Sequence, residues 1–175
     1  HPKPGKGSGE KIKDVNIMDF IKLSKISNWR KKLDDSWSAP FQLDGHRWNS
    51  VEHYYLGAQF KKGFPDFYLQ FSLDKDSEIS KDITLARIAG SKAGKVKDNV
   101  LRDKKIVIDP DFYQVGVNPR NREERTLALE AKFSQNLDLR QVLIETKRSK
   151  LLKFMRGRES EPDIPLMKIR RDTLV

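Results

Sequence analysis

The chain has 175 residues, with 35 Lys and Arg against 25 Asp and Glu, a net charge of +10 and a pI near 9.7. It lacks Cys, which excludes disulfides, thiolate nucleophiles and thiolate metal sites, and no apolar run has the length of a membrane span or the pattern of a signal peptide. At 37% hydrophobic and 34% charged residues the composition is polar, but apolar residues recur in clusters throughout, so a folded single domain over residues 1–175 is expected, in the cytosol or nucleus.

The first ten residues, HPKPGKGSGE, are rich in Pro and Gly and read as a loop or arm. The chain opens on His1 instead of Met, as a piece of a longer chain would. Ile17, Phe20, Ile21 and Leu23 follow helical spacing, and a short amphipathic turn begins near Asn28 with Trp29 and Leu33 on one face. Residues 40–48 have the pattern of a small hairpin. Phe41 and Leu43 alternate with polar residues, and Asp44-Gly45 supplies the positive φ of a tight turn. Asn49 or Ser50 then caps a helix running to about Lys62 and closed by Gly63. Pro65 opens another short helix, with Phe67, Tyr68 and Phe71 as its buried side.

Ser80 or Asp82 caps a helix carrying Ile83, Leu85, Ala86, Ile88 and Ala89, interrupted by Gly90 and Gly94. Residues 105–108 form a candidate strand, and Pro110 starts a further turn. Residues 122–134 are predicted helical, with acids first and with Leu127, Leu129, Ala131 and Phe133 as the apolar set. A helix over residues 137–146 follows. Residues 151–155 fit helix or strand, and Pro165 precedes a terminal helix with Leu166, Met167 and Ile169. Helices outnumber strands, so the predicted fold is mainly α with a small β-hairpin.

The basic excess suits a protein that handles phosphates or nucleic acid, and it equally suits a solvated Lys-rich surface. The segment GSKAGKV, residues 90–96, fails as a nucleotide-triphosphate loop. Its glycines stand three residues apart instead of four, and Val96 occupies the position of the magnesium-binding hydroxyl. Lys92 and Lys95 remain candidates to meet a ligand phosphate. His1, His46 and His53 lack metal-ligand spacing, and no Gly-x-Ser-x-Gly elbow supports serine hydrolase chemistry. Glu52 has two readings. A carboxylate in the first helical turn complements the helix dipole; set among Trp48, Tyr54 and Tyr55, it is also shielded in a way that raises its pKa toward proton transfer.

Two segments carry a family likeness: LDGHRWNSVEHYY with the following AQF, and LEAKFSQNLDLRQVLIETKRSKLL. Asp44, Gly45, Trp48, Ser50, Glu52, His53 and Tyr54, then Ala131, Lys132, Phe133, Gln135, Leu139, Leu143 and Thr146, stand as in the two motifs of the NADAR (YbiA-like) superfamily, which the chain resembles over residues 41–170. The opening PGKGSGE, with FYLQFSLD and IDPDFY, resembles a branch found in large DNA viruses and lower eukaryotes.

The resemblance implies a mainly α-helical YbiA-like fold and cleavage of an N-glycosidic bond to ribose, without a metal or redox cofactor. The implied substrate is ADP-ribose on a guanine base of nucleic acid, a DNA-repair type of hydrolysis by a monomer with no membrane partner. The alternatives are hydrolysis of the ribosylamino-pyrimidine phosphate of riboflavin synthesis, and a non-catalytic module that binds ADP-ribose or nucleic acid. In the implied mechanism Glu52 shuttles the proton and a lysine forms a Schiff base, for which Lys6 in the arm is the candidate. Gly5, Gly7 and Gly9 would let backbone amides approach a pyrophosphate, and Glu10 would hold a ribose hydroxyl. Trp48, His53 and Tyr54 are carried over as ligand-binding residues, and Phe112 or Tyr113 would stack on a base. Many members have Lys where this chain has Gln59, leaving Lys61 or Lys62 as nearby replacements. The segments Asn-Trp-Glu or Asp-Trp-Glu and Trp-Gly-x-Gly of the bacterial branch are also missing, which disfavours the riboflavin-intermediate activity.

Overall fold

A computed structural model describes residues 9–11 and 20–173. In chain order its elements are β1 (Gly9–Lys11), α1 (Ile21–Ser24), α2 (Trp29–Leu33), β2 (Phe41–Leu43), β3 (His46–Trp48), α3 (Val51–Ala58), α4 (Pro65–Gln70), α5 (Glu78–Lys81) and α6 (Ile83–Ala89). After these come β4 (Lys95–Val96), β5 (Asn99–Val100), α7 (Arg120–Gln135), α8 (Leu137–Glu145), β6 (Lys150–Lys153), β7 (Glu161–Pro162) and α9 (Ile164–Thr173). The fold is mainly α, with β-structure confined to short pieces, and no helix among the described residues is long and apolar enough to cross a membrane. The chain divides into two compact units: Ser38–Lys132, and the segments up to Trp37 and from Phe133 onward.

In the Ser38–Lys132 unit, β2 and β3 pair antiparallel with Phe41 opposite Trp48 and Leu43 opposite His46. The turn between them places Asp44 at φ +55° and Gly45 at φ +75°, the left-handed conformation that a two-residue hairpin demands at both central positions. Phe41 and Trp48 are both buried, and the Trp48 indole N–H donates to the Leu43 carbonyl at 2.9 Å. Trp48 meets the rings of Tyr54 and Tyr68, each with a centroid at 5.0 Å. A second aromatic cluster joins Phe60, Phe67 and Phe71 with centroids 4.8–6.0 Å apart. Helix α3 ends at Ala58, short of the predicted Lys62. The chain tightens there into i→i+3 turns, Phe60 N–H to the Gly57 carbonyl at 2.9 Å and Lys61 N–H to the Ala58 carbonyl at 3.3 Å.

Residues 105–108 do not form the expected strand. Their backbone is spent elsewhere: the Ile106 carbonyl accepts from Arg102 Nε at 3.0 Å, and Val107 is exposed. On α7, Ala128, Leu129, Lys132 and Phe133 are buried while Leu127 faces solvent, because Leu127 and Leu129 lie about 200° apart around a helix.

In the other unit, β1, β6 and β7 form an antiparallel sheet in the order β1-β6-β7. Gly9–Lys11, expected in a loop, is thus a strand paired with residues 150–152, and the ambiguous stretch after Lys150 resolves as β6. Helices α1, α2 and α9 pack on α8 through Leu23, Leu33, Leu139, Leu143 and Leu166. The buried Arg170 guanidinium ties the end of α8 down, donating to Thr146 Oγ1 at 2.8 Å and the Ser149 carbonyl at 2.7 Å.

Helix α3 approaches α4 at Gly57. A Cβ there would stand 2.9 Å from Phe71 Cβ and 3.2 Å from the Tyr68 carbonyl oxygen. Gly57→Ala gains helix propensity worth about 1 kcal/mol, but forcing a methyl against backbone-proximal atoms costs about 1–3 kcal/mol. The expected outcome is a net loss of up to about 2 kcal/mol in urea unfolding; a stabilised variant would show that α3 and α4 do not pack this closely.

Candidate functional site

Ser50 caps α3, its hydroxyl accepting from the His53 backbone N–H at 3.1 Å. The His53 ring is buried, with Nδ1 2.7 Å from Ser50 Oγ and Nε2 3.0 Å from the Ile79 carbonyl oxygen. A carbonyl can only accept, so Nε2 carries the proton and Nδ1 accepts from the Ser50 hydroxyl. Burial lowers the His53 pKa from 6.5 to about 4, outweighing the opposing pull of the Ile79 carbonyl. His53 is a neutral clamp between α3 and α5.

Of the aromatic residues expected to shield Glu52, only the half-buried Tyr55, three residues on, lies on its side of the helix. Trp48 and Tyr54 are fully buried, and Tyr54 lies about 200° around the helix from Glu52. Facing the Glu52 carboxylate is Arg87 of α6. Its Nε reaches Oε1 at 2.8 Å and Oε2 at 3.1 Å, and Nη2 reaches Oε2 at 2.8 Å. The pair stays near solvent, the Glu52 side chain 24% and the Arg87 side chain 53% exposed.

Seven residues on, Gln59 falls on the same side of α3 and is buried. Its amide N–H groups donate to the Leu56 carbonyl at 2.9 Å and the Gly90 carbonyl at 3.0 Å, while its oxygen accepts from the Tyr113 hydroxyl at 2.8 Å. Tyr113 keeps half its surface exposed, and Val115 and Val117 beyond it are almost wholly exposed. Phe112 is fully buried, with edge contacts to Tyr55 at 5.3 Å and Tyr113 at 4.9 Å, so of the two stacking candidates only Tyr113 presents a ring to solvent.

The IDPDFY segment is held by the buried Asp109 carboxylate. It accepts from the backbone N–H of Lys62 at 3.0 Å and of Gly63 at 2.9 Å, and from Arg120 Nη1 at 2.8 Å. Arg120 also donates to Asp111 at 2.9 Å and to the Ala58 carbonyl at 2.9 Å.

A cluster that the sequence did not reveal lies on the opposite side of α3. The Tyr54 hydroxyl donates to Glu124 Oε2 at 2.8 Å and the Tyr68 hydroxyl to Asp44 Oδ2 at 2.8 Å. Lys61 Nζ stands 3.3 Å from Asp44 Oδ2, 3.8 Å from Glu124 Oε1 and 3.4 Å from the Tyr54 hydroxyl. Burial, reinforced by the neighbouring carboxylates, holds both phenols well above their ordinary range, so they remain donors. Glu124 sits 70 residues from Tyr54, and only the acid-rich start of a predicted helix hinted at it. Neither Lys61, turned toward this cluster, nor Lys62, paired with Asp111, reaches Glu52 as a substitute for a lysine at position 59.

The GSKAGKV segment wraps a cation. Arg102, buried, donates to the carbonyls of Ala89 and Ser91 at 2.7 Å and of Lys92 at 2.9 Å. Gly94, at φ +67°, has no room for a Cβ, which would lie 2.7 Å from Arg102 Cβ. A phosphate loop presents N–H groups; this one turns carbonyls inward. The side chains of Lys92 and Lys95 are exposed beside it. Of the arm residues, Gly5, Lys6 and Gly7 lie outside the described residues, and Gly9 and Glu10 pair through their backbone with Leu152 and Leu151. Among the described residues no group of His and acids has a metal-holding arrangement.

No protein-family model matches the chain, and no curated protein does. Among solved structures, the NMR structure of the E. coli protein YbiA matches with a TM-score of 0.58 at 20% identity, covering 85% of this chain and 80% of that one. The fold is YbiA-like. The agreement extends to the mainly α architecture implied by the two sequence motifs.

Helix α3, which carries Glu52, depends on His53 staying neutral. Above pH 6.5 both folded and unfolded chains hold this histidine uncharged, and its contribution to stability is complete. As the pH falls, the unfolded chain takes up a proton near 6.5 that the folded chain refuses until about 4. Stability therefore drops across that window by up to about 3 kcal/mol from this group. Urea titrations at pH 7 and pH 4.5 should show a smaller loss for His53→Gln than for the parent chain. Equal losses would remove His53 as the cause.

Proposed function

We propose that the protein is an N-glycosidase that removes ADP-ribose from guanine bases of nucleic acid. The observation that carries this reading is the α3 face on which Glu52, gripped in two-pronged fashion by Arg87, shares a side with Gln59 and the half-exposed ring of Tyr113. An oriented carboxylate on the same side of the helix as an exposed aromatic ring suits a reaction in which a purine is held by stacking while a carboxyl group handles the proton. The two NADAR-like motifs and the YbiA-like fold add support.

In the proposed chemistry the neutral Lys6 amine attacks the anomeric carbon of the ribose. The bond from that carbon to the guanine nitrogen breaks, and Glu52 in its acid form gives the nitrogen a proton. The new amine gives a proton to the ring oxygen as the bond from the anomeric carbon to that oxygen breaks, leaving a protonated Schiff base and a free hydroxyl. Glu52, now a base, takes a proton from the water that attacks it, and collapse returns free ADP-ribose and the lysine amine. Net, one water is consumed and one glycosidic bond is broken.

Incubation with DNA carrying ADP-ribose on guanine should release ADP-ribose, while the ribosylamino-pyrimidine phosphate should not turn over. Glu52→Gln is expected to lower the rate by about 100-fold or more, the usual share of a general acid/base, with an unchanged unfolding midpoint. Lys6→Ala should abolish turnover and the adduct that borohydride traps from the parent enzyme. Full activity in both variants would refute the site assignment, and no turnover of either substrate would leave a binding module. Tyr113→Ala should raise KM about 10-fold with little change in kcat, matching the loss of one base–aromatic stack; an unaltered KM would mean the base stacks elsewhere.

A further inference from the structure

The charge is unevenly shared between the two units. The Ser38–Lys132 unit holds 16 Lys and Arg against 14 Asp and Glu, whereas the segments up to Trp37 and from Phe133 onward hold 19 against 11. Most of the +10 thus belongs to the second unit. Within it lies an open groove of about 570 Å³ between the end of α8 and α9. Lys147 and Arg148 line it from the turn after α8, and Ile164, Met167, Lys168, Arg170 and Arg171 from α9. No acidic residue lines it.

The groove is built by the fold. Ile164, Met167, Lys168 and Arg171 recur at three- and four-residue spacing, which puts them in one stripe along α9 opposite the buried Leu166, Ile169 and Arg170. Arg170, the buried guanidinium bonded to Thr146 and Ser149, fixes α9 against the turn that carries Lys147 and Arg148. Lys147 is further steadied over the Phe20 ring at 5.7 Å. Arg148, Lys168 and Arg171 are exposed; Arg171 has Asp172 at 3.6 Å, a pairing between side chains 72% and 63% exposed that contributes little.

We propose that this groove seats a single-stranded nucleic acid, its phosphates on the four cations and its sugars and unstacked bases on Ile164 and Met167. Four cations around an apolar strip match a strand that alternates anionic and flat apolar parts. A duplex keeps its bases stacked away and would set phosphates against Ile164 and Met167. An acidic peptide offers carboxylates without the flat groups, and a bilayer surface cannot enter a concave site. The proposal goes beyond the glycosidase reading, since it concerns binding to a strand that carries neither guanine nor ADP-ribose.

The test is fluorescence anisotropy of the full chain with a labelled oligothymidylate of about 20 nucleotides, titrated between 50 and 200 mM salt. Four phosphate contacts release counterions with a log–log slope of about −2.8 for a single strand, so affinity should fall about 50-fold across that range. In the double variant Lys168→Ala, Arg171→Ala the slope should halve, leaving a fall of about 7-fold. The urea unfolding midpoint of that variant should match the parent's, which confirms that it folds, and hydrolysis of an ADP-ribosylated guanine nucleoside, too small to span the groove, should be unchanged. The proposal is overturned by absence of binding at 50 mM salt, by a slope that the double variant leaves intact, or by equal or tighter binding of the duplex or of polyglutamate. Failure of the glycosidase reading would leave the anisotropy result untouched, so the two are separately decided.

Discussion

A single buried carboxylate, Asp109, organises the face on which Glu52 and Tyr113 lie. It receives the backbone N–H groups of Lys62 and Gly63 just where α3 has stopped, and the guanidinium of Arg120 from the start of α7. Its own N–H donates to the Gln59 carbonyl at 2.7 Å. An unpaired polar group buried at this depth costs several kcal/mol, and these donors offset that cost. The consequence is geometric. The chain that follows Asp109 must leave along the end of α3, which sets Phe112 in the core and brings the Tyr113 hydroxyl to Gln59.

The basic residues of this chain do two different jobs. Arg102 and Arg170 are buried staples, each donating to carbonyl or hydroxyl oxygens of a neighbouring turn. Burial pulls the Arg102 guanidinium below its ordinary value, yet guanidinium remains the right group because its planar fork can satisfy several carbonyls of a tight loop at once. Such residues count toward a net charge without presenting it to a ligand. Lys168 and Arg171 do present theirs. Composition cannot separate the two kinds, which is why a charge of +10 supports a phosphate-handling protein and a merely solvated surface equally well until burial is known.

Local rules were the most legible part of the sequence. The Asp44-Gly45 turn, the Ser50 and Asp82 caps, and the helices after Pro65 and before Pro165's terminal segment rest on a few neighbouring residues and emerge close to where those residues place them. Features set by distant partners were not legible. Gly9–Lys11 becomes a strand only because β6 offers an edge 140 residues later. Residues 105–108 have strand-like side chains, but a strand partner is absent for them and Arg102 claims the Ile106 carbonyl. At the site, the motif drew attention to Glu52, Trp48, His53 and Tyr54 together, while the 100° step of the helix sends them to different sides. His53 and Tyr54 serve the core, and Glu52 alone faces out to Arg87, whose position in the sequence carried no motif at all.

Gln59 is best understood from what a lysine at that position could not do. A lysine ammonium has three donors and no acceptor, whereas the Gln59 amide must donate to the Leu56 and Gly90 carbonyls and accept the Tyr113 hydroxyl. Lysine would remove the acceptor for that hydroxyl and bring a charge into a position that is 1% exposed. The glutamine is therefore matched to its surroundings, and the closeness of Gly90, where a Cβ would stand 3.1 Å from the amide nitrogen, shows the fit from the other side. Position 59 has become part of the scaffold that holds Tyr113. A lysine-dependent reaction on this face must draw its amine from outside α3 and the turn behind it, since Lys61 and Lys62 are committed to Asp44 and Asp111.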